Sequence, residues 1–264
     1  MLSENIVDKT TDLDTYLVVK SNSEWVKWGK FDPLWAVASW AGREKTGTKP
    51  WTNAEFYALG EQDWKDFQTH WIHFGLDRTH CIEIGCGAGR ITKPMADSFE
   101  KVSALDVSSD QIHYARKHIN KPHVEFFQTN GQLLPVKIAP VTAVFSVHVF
   151  QHFDDIPDAI ELLKRISIIM VPDATLMIHL PLYDLPDMRC KWLLRKIINL
   201  YHYLGHMAAI INRKRGKLIM RGLRFDQQSL AGELRKMGFY DIEFRIFITN
   251  SNQHWHSFVF ARKK

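Results

Sequence analysis

The stretch Cys81-Ile82-Glu83-Ile84-Gly85-Cys86-Gly87-Ala88-Gly89-Arg90-Ile91-Thr92 constrains this chain more than any other. A short apolar run carrying an acidic residue leads into Gly-x-Gly-x-Gly, and an amphipathic stretch follows. That order reads as strand, tight turn and helix start, and it predicts a helix near 88–98. Glycines let the backbone turn sharply and approach a ligand that any Cβ would push away. A helix start adds unpaired N–H groups and a positive dipole end. A plain strand–turn–helix corner would satisfy the same pattern, so the spacing has to discriminate. A dinucleotide fingerprint, Gly-x-Gly-x-x-Gly, would place its third glycine where the chain has Arg90. A P-loop would need Gly-Lys-Ser/Thr where the chain has Gly89-Arg90-Ile91.

A second element follows at the matching distance. Val102-Ser103-Ala104-Leu105-Asp106 reads as a strand closing on a carboxylate, and Val107-Ser108-Ser109-Asp110-Gln111-Ile112 opens a helix. Together the two stretches resemble motif I and the acidic strand end of the class I S-adenosylmethionine (SAM)-dependent methyltransferases, of the small-molecule type. The resemblance implies a Rossmann-like α/β fold: seven mostly parallel strands, helices on both faces, and the last two strands joined as an antiparallel hairpin. It implies SAM as cofactor and S-adenosylhomocysteine (SAH) as product. From His80 onward, alternating strand-like and helix-like segments argue independently for a parallel α/β sheet. Strands are expected near 80–85, 101–106, 123–128, 141–147, 174–181, 239–248 and 254–262, with further helices near 109–119 and 154–170.

The leader is aromatic. Trp25, Trp28, Phe31, Trp35, Trp40, Trp51, Phe56, Trp64, Phe67 and Trp71 fall within 47 residues. Asp32-Pro33 suits a helix start, and Thr52-Asn53-Ala54-Glu55 suits a capping box for a helix ending at Gly75. This segment resembles the N-terminal part of small-molecule methyltransferases, whose helices lie across the cofactor pocket. Trp51, Phe56 and Gly60 occupy the matching positions, and one or two aromatics are expected at the pocket, the rest in the core. Four regions are expected: an arm and lid over 1–75, a SAM-binding core over 76–182, a cap over 183–224, and 225–264 completing the core.

Within this frame the resemblance assigns roles. Asp106 would accept hydrogen bonds from the ribose hydroxyls, with Val107 and Gln111 beside the adenine. Glu83, Gly85 and Gly87 would shape the methionine side, and Arg90 would face the SAM carboxylate, unless it points to solvent. Gln128-Thr129-Asn130-Gly131-Gln132-Leu133-Leu134-Pro135 resembles the family's D-x-x-x-L-P loop, with Asn130 in place of the usual Asp and Gly131 beside it at the adenine edge. A simple Asn-Gly turn is the alternative. The segment from Ser146 to Asp155 resembles S-x-x-V-L-x-H-x-x-D and puts the Val147 backbone at the methionine moiety. Transfer requires chiefly alignment and exclusion of water. For a hydroxyl acceptor a histidine base suits neutral pH; His152 is the first candidate, ahead of His148, His179 and Tyr183, although a packed structural His152 fits too. His254 and His256 share a face but lack an acidic or Cys partner, so no metal is expected.

Composition bears on partners and compartment. The formal net charge is +5, yet residues 183–222 alone carry nine Lys/Arg against Asp184 and Asp187, leaving −2 for the rest. This insertion reads as an amphipathic helical cap with a solvated basic face. Sharper readings are contact with an anionic acceptor or with a membrane surface carrying a lipid- or sugar-linked one. Nucleic acid is disfavoured, since no RNA-binding module accompanies the charge. Cys81, Cys86 and Cys190 form no C-x-x-C pair and are odd in number, which suits a reducing, cytoplasmic compartment. No signal peptide or membrane-span pattern is visible. The expected activity is methyl transfer to oxygen or nitrogen of a small-molecule acceptor. A tRNA or protein methyltransferase using the insertion, a catalytically silent SAM-binding module and an NAD-dependent oxidoreductase are the alternatives. The acceptor and the oligomeric state are not legible.

Overall fold

The computed structural model describes residues 22–132, 134–135, 138, 140–183, 204, 222–248 and 255–264. The expected basic cap therefore lies almost wholly outside the described residues, as do His254 and Cys190.

Three helices precede the sheet: α1 (Asn22–Phe31), α2 (Pro33–Val37) and α3 (Asn53–Phe74). Their ends are set by local chemistry. The Asp32 carboxylate accepts the Trp35 N–H and caps α2, whose first residue is proline. Thr52 and Glu55 form a reciprocal capping box on α3, and Gly75 closes it in the left-handed region at φ 96°. The core then runs β1 (His80–Ile84), α4 (Thr92–Met95), β2 (Lys101–Asp106), α5 (Ser109–His118), β3 (Val124–Gln128), β4 (Val141–Ser146), α6 (Ile156–Ile169), β5 (Met170–Pro181), α7 (Gln227–Lys236), β6 (Phe239–Ile248) and β7 (Trp255–Lys263).

The seven strands form one sheet in the order β3-β2-β1-β4-β5-β7-β6. β1 to β5 are parallel, whereas β7 runs antiparallel to both β5 and β6. Side chains alternate across the sheet with period two. On one face Ile82, Val144 and Leu176 pack against Leu162 and Ile166 of α6 and Leu230 and Leu234 of α7. On the other, Cys81, Phe145 and Met177 pack against Trp64 and Trp71 of α3 and Ile112 of α5. Trp71 is fully buried, and its indole N–H donates to Thr175 Oγ1 at 2.9 Å, tying α3 to β5. Of the leader's aromatics, Phe56, Trp64 and Trp71 are thus core residues, whereas Phe31 and Trp40 are exposed.

One helix differs from expectation. The stretch expected over 88–98 is helical only at Thr92–Met95. Gly89 holds φ at +83°, outside the helical region, and Pro94 brings no N–H to continue a ladder. A four-residue helix has negligible macrodipole, so the turn owes its binding capacity to backbone shape and to Asp106. Among the described residues no helix is long and apolar enough to cross a membrane.

Candidate functional site

The strand order reverses between β1 and β4, and a crevice opens beyond the carboxyl ends of these strands, where open α/β sheets bind ligands. Here a cavity of about 500 Å³ runs from Asp106, Val107 and Gln111 at one end to Val147, His148 and His152 at the other. The glycine turn forms its floor. Gly85 and Cys86 both donate backbone N–H groups to Leu105 O, at 2.7 and 2.9 Å, which locks the turn onto the end of β2. Gly85 and Gly87 adopt φ of +73° and +53°, and a Cβ on them would stand 2.2 Å from Val149 Cγ2 and 2.4 Å from Val37 Cγ2 respectively. Only glycine permits both the turn and the close packing around it.

Asp106 is held by this turn. Its Oδ2 accepts the Gly87 N–H at 2.8 Å and its Oδ1 the Ser108 N–H at 2.9 Å. Each carboxylate oxygen has two lone pairs, so the carboxylate, which lines the cavity, can accept further hydrogen bonds. Burial raises its pKa, while backbone donors from Ser108, Gly87 and Val107 pull it down. Gln111, buried on α5, donates through Nε2 to Pro33 O at 3.0 Å, and its buried Oε1 has no hydrogen-bond partner among the described residues. This end of the cavity therefore offers acceptors to a polar ligand.

Arg90 lines the cavity and is ion-paired with Asp63 of α3, so it does not point to solvent. α3 can approach this closely because of Gly60, where a Cβ would fall 1.9 Å from the Arg90 carbonyl oxygen. The roof comes from the leader: Trp25 of α1, Val37 of α2, and Ala38, Ser39 and Trp40 after it. Trp25 packs on the His152 ring with centroids 4.6 Å apart, and His152 Nε2 lies 3.0 Å from Gln151 Nε2.

Of the residues expected from sequence, Gly85, Gly87, Arg90, Asp106, Val107, Gln111, Gly131, Val147 and His152 all line the cavity, together with the reserve candidate His148. Two do not. Glu83 lies beneath the turn, 2% exposed, accepting the Thr92 hydroxyl, because its position on β1 faces the α3 side of the sheet. Asn130 turns its Oδ1 back to accept the Gln132 N–H at 3.0 Å, the plain turn reading, and Thr129 lines the cavity instead. Trp51, Phe56 and Gly60 are not in the lining either; Phe56 is fully buried behind α2. His179 is buried below His148, and Tyr183 lies outside the lining. Trp25 and Trp40 are the leader aromatics that reach the lining, whereas Leu59 and Asp63 escaped sequence reasoning. For the last two a signal existed, since Leu59 and Asp63 are four apart and flank Gly60 on the helix face turned to the glycine loop.

Comparison with known proteins agrees with this geometry. Residues 82–176 match the family model described as "Methyltransferase domain". The ubiquinone biosynthesis O-methyltransferase of Methylocella silvestris is 29% identical over 83 residues, 31% of this chain and 32% of that protein. The fatty-acid O-methyltransferase of Mycolicibacterium smegmatis is 30% identical over 112 residues, 40% of this chain and 39% of that protein. The chain thus aligns with only about a third of the length of these relatives. Among solved structures, magnesium protoporphyrin IX methyltransferase from Synechocystis with bound SAH superposes with a TM-score of 0.59 at 13% identity, covering 93% of this chain and 100% of that one.

Proposed function

We propose that this chain, whose residues 82–176 match a methyltransferase-domain family model and whose fold is shared with a methyltransferase of known structure, transfers a methyl group from SAM to an oxygen of a small-molecule acceptor. The observation that carries the cofactor assignment is Asp106, pinned by Gly87 and Ser108 with lone pairs to spare at the cavity end where Gln111 leaves an unpartnered acceptor. The residues fit the cofactor: two acceptor oxygens for a ribose diol, a glycine floor on which a Cβ would collide with the lining residues Val149 and Val37, and apolar Val107 and Leu134 beside them.

Bound SAM supplies a methyl group already activated by its sulfonium. The chain's own residues then orient and seal. Gly85 and Gly87 let the floor approach the ligand, and Val147 borders the end where the acceptor enters. Trp25, Val37 and Trp40 cover the cavity and exclude water, and alignment in such an enclosed site accounts for much of a displacement's acceleration. The Asp63 carboxylate is neutralised by Arg90. The acceptor end therefore presents no uncompensated carboxylate among the described lining residues, an environment that suits a neutral hydroxyl better than an ammonium group. The O-methyltransferase names of the two relatives support the same preference. The basic insertion over 183–222 fits an anionic or lipid- or sugar-linked acceptor as a cap, and the buried free thiols of Cys81 and Cys86 suit a reducing compartment.

The test is SAH formation across a panel of phenols, carboxylic acids and amines. Turnover of oxygen acceptors is expected. Turnover confined to amines would overturn the oxygen assignment, and tight SAH binding with no turnover would favour a silent binding module.

A further inference from the structure

His148 lies two residues past the end of β4 and holds φ at +60°, a conformation that costs a non-glycine residue energy. Its side chain is open to the cavity, although the surrounding concavity encloses it deeply. What holds it there is a buried pair of histidines. The His148 backbone N–H donates to His179 Nδ1 at 3.4 Å, and the two rings meet edge to face with centroids 4.3 Å apart. His179 on β5 in turn lies 2.9 Å, Nε2 to Nδ1, from His256, its diagonal neighbour on β7. The backbone N–H can only donate, so neutral His179 accepts at Nδ1 and carries its proton on Nε2, which donates to His256 Nδ1. A protonated His179 would set donor against donor at His148. Burial, then the proximity of His148, His256 and His152, hold its pKa well below the ordinary value and keep this tautomer fixed.

We infer that His148 is the residue that accepts the hydrogen bond of the acceptor's hydroxyl and turns an oxygen lone pair toward the transferable methyl, and that His179 and His256 are its positioning pair. The inference rests on the oxygen-methylation reading and deepens it. His152 is less suited to the task, since its Nε2 is paired with Gln151 and its ring is packed against Trp25. His148 orients rather than abstracts: desolvation in the concavity and the charges of Arg90, His152 and His256 push its pKa down to about 3. That direction favours the neutral ring, which can accept the hydroxyl hydrogen bond.

The experiment compares wild type, His148→Gly, His179→Asn and His179→Leu in three measurements: calorimetric SAH binding, thermal melting, and turnover of the best oxygen acceptor against pH. His148→Gly relieves the left-handed strain, so it should melt at or above wild type and bind SAH unchanged. Its turnover should fall about 100-fold, as expected for a lost orienting contact. The pH profile should keep its shape, and added imidazole should restore part of the rate by filling the vacated space. His179→Asn, whose Oδ1 can still accept the His148 N–H, should retain most activity, whereas His179→Leu should lose kcat with SAH affinity unchanged. Near-wild-type turnover of His148→Gly overturns the inference, as does loss of a pH limb near 6.5 with that substitution, or equal damage from Asn and Leu at position 179. Failure of wild type to methylate any oxygen acceptor would instead refute the underlying reaction, and is read separately in the same assay.

Discussion

Glu83 gives the most quantitative prediction. It sits in mid-strand on β1, between Ala104 of β2 and Phe145 of β4, and is 2% exposed. Burial raises its pKa from 4.5 to about 7, against the opposing pull of the Thr92 hydroxyl and Arg90. At about 1.4 kcal/mol per pH unit, this displacement makes ionised Glu83 cost the fold about 3 kcal/mol. The folded state holds the proton more tightly than the unfolded chain, so the penalty is absent below about pH 4.5. It grows as pH rises and is complete once pH passes 7. His80 and His179 have lowered pKa values and act in the opposite sense, with stability lost as pH falls below their unfolded value. Wild-type stability against pH is therefore composite, and the difference from Glu83→Gln isolates the carboxyl. Urea unfolding at pH 5, 6, 7 and 8 should show Glu83→Gln gaining on wild type by about 2 kcal/mol across that range, through midpoint shifts at constant m. Parallel curves for the two proteins would refute a buried carboxyl with this displaced titration.

Other substitutions test the packing that shapes the site. Gly60→Ala drives a Cβ into the Arg90 carbonyl and should cost about 1–3 kcal/mol in denaturant unfolding while weakening SAH binding in calorimetry. Thr175→Val leaves the buried Trp71 indole N–H unpaired and should cost about 1–3 kcal/mol by the same unfolding assay, with SAH affinity unchanged. Gln111→Leu removes a buried acceptor that lacks a protein partner and also the Nε2 donor to Pro33 O. It should cost about 1 kcal/mol in denaturant unfolding while SAH affinity in calorimetry falls.

Much of this was legible because it is local. The seven strands, the Asp32 and Thr52 caps and the Gly75 stop depend on residues within a few positions of one another, and each lies where the pattern indicates. The glycine turn and Asp106 were legible through their order and distance. What failed was of two kinds. The helix over 88–98 was overextended because the left-handed Gly89 and the missing Pro94 N–H break it, and apolar periodicity does not register either. Glu83 and Asn130 lie outside the lining, and which of the leader's aromatics would reach it was not legible, because facing the cavity is a tertiary property. One residue's shift along β1 separates Glu83, beneath the turn, from Ile84, in the lining. The Asp63–Arg90 pair and the His148–His179–His256 arrangement join segments 27 to 77 residues apart, and no short-range pattern announces them.

The most direct test of the cofactor assignment is calorimetric titration of the purified chain with SAH and with NAD, using Asp106→Ala as the control. Binding of SAH, weakened at least tenfold by the substitution, with no binding of NAD, is the predicted result. Binding of NAD, or SAH affinity indifferent to Asp106, would contradict it and return the glycine turn to a structural corner.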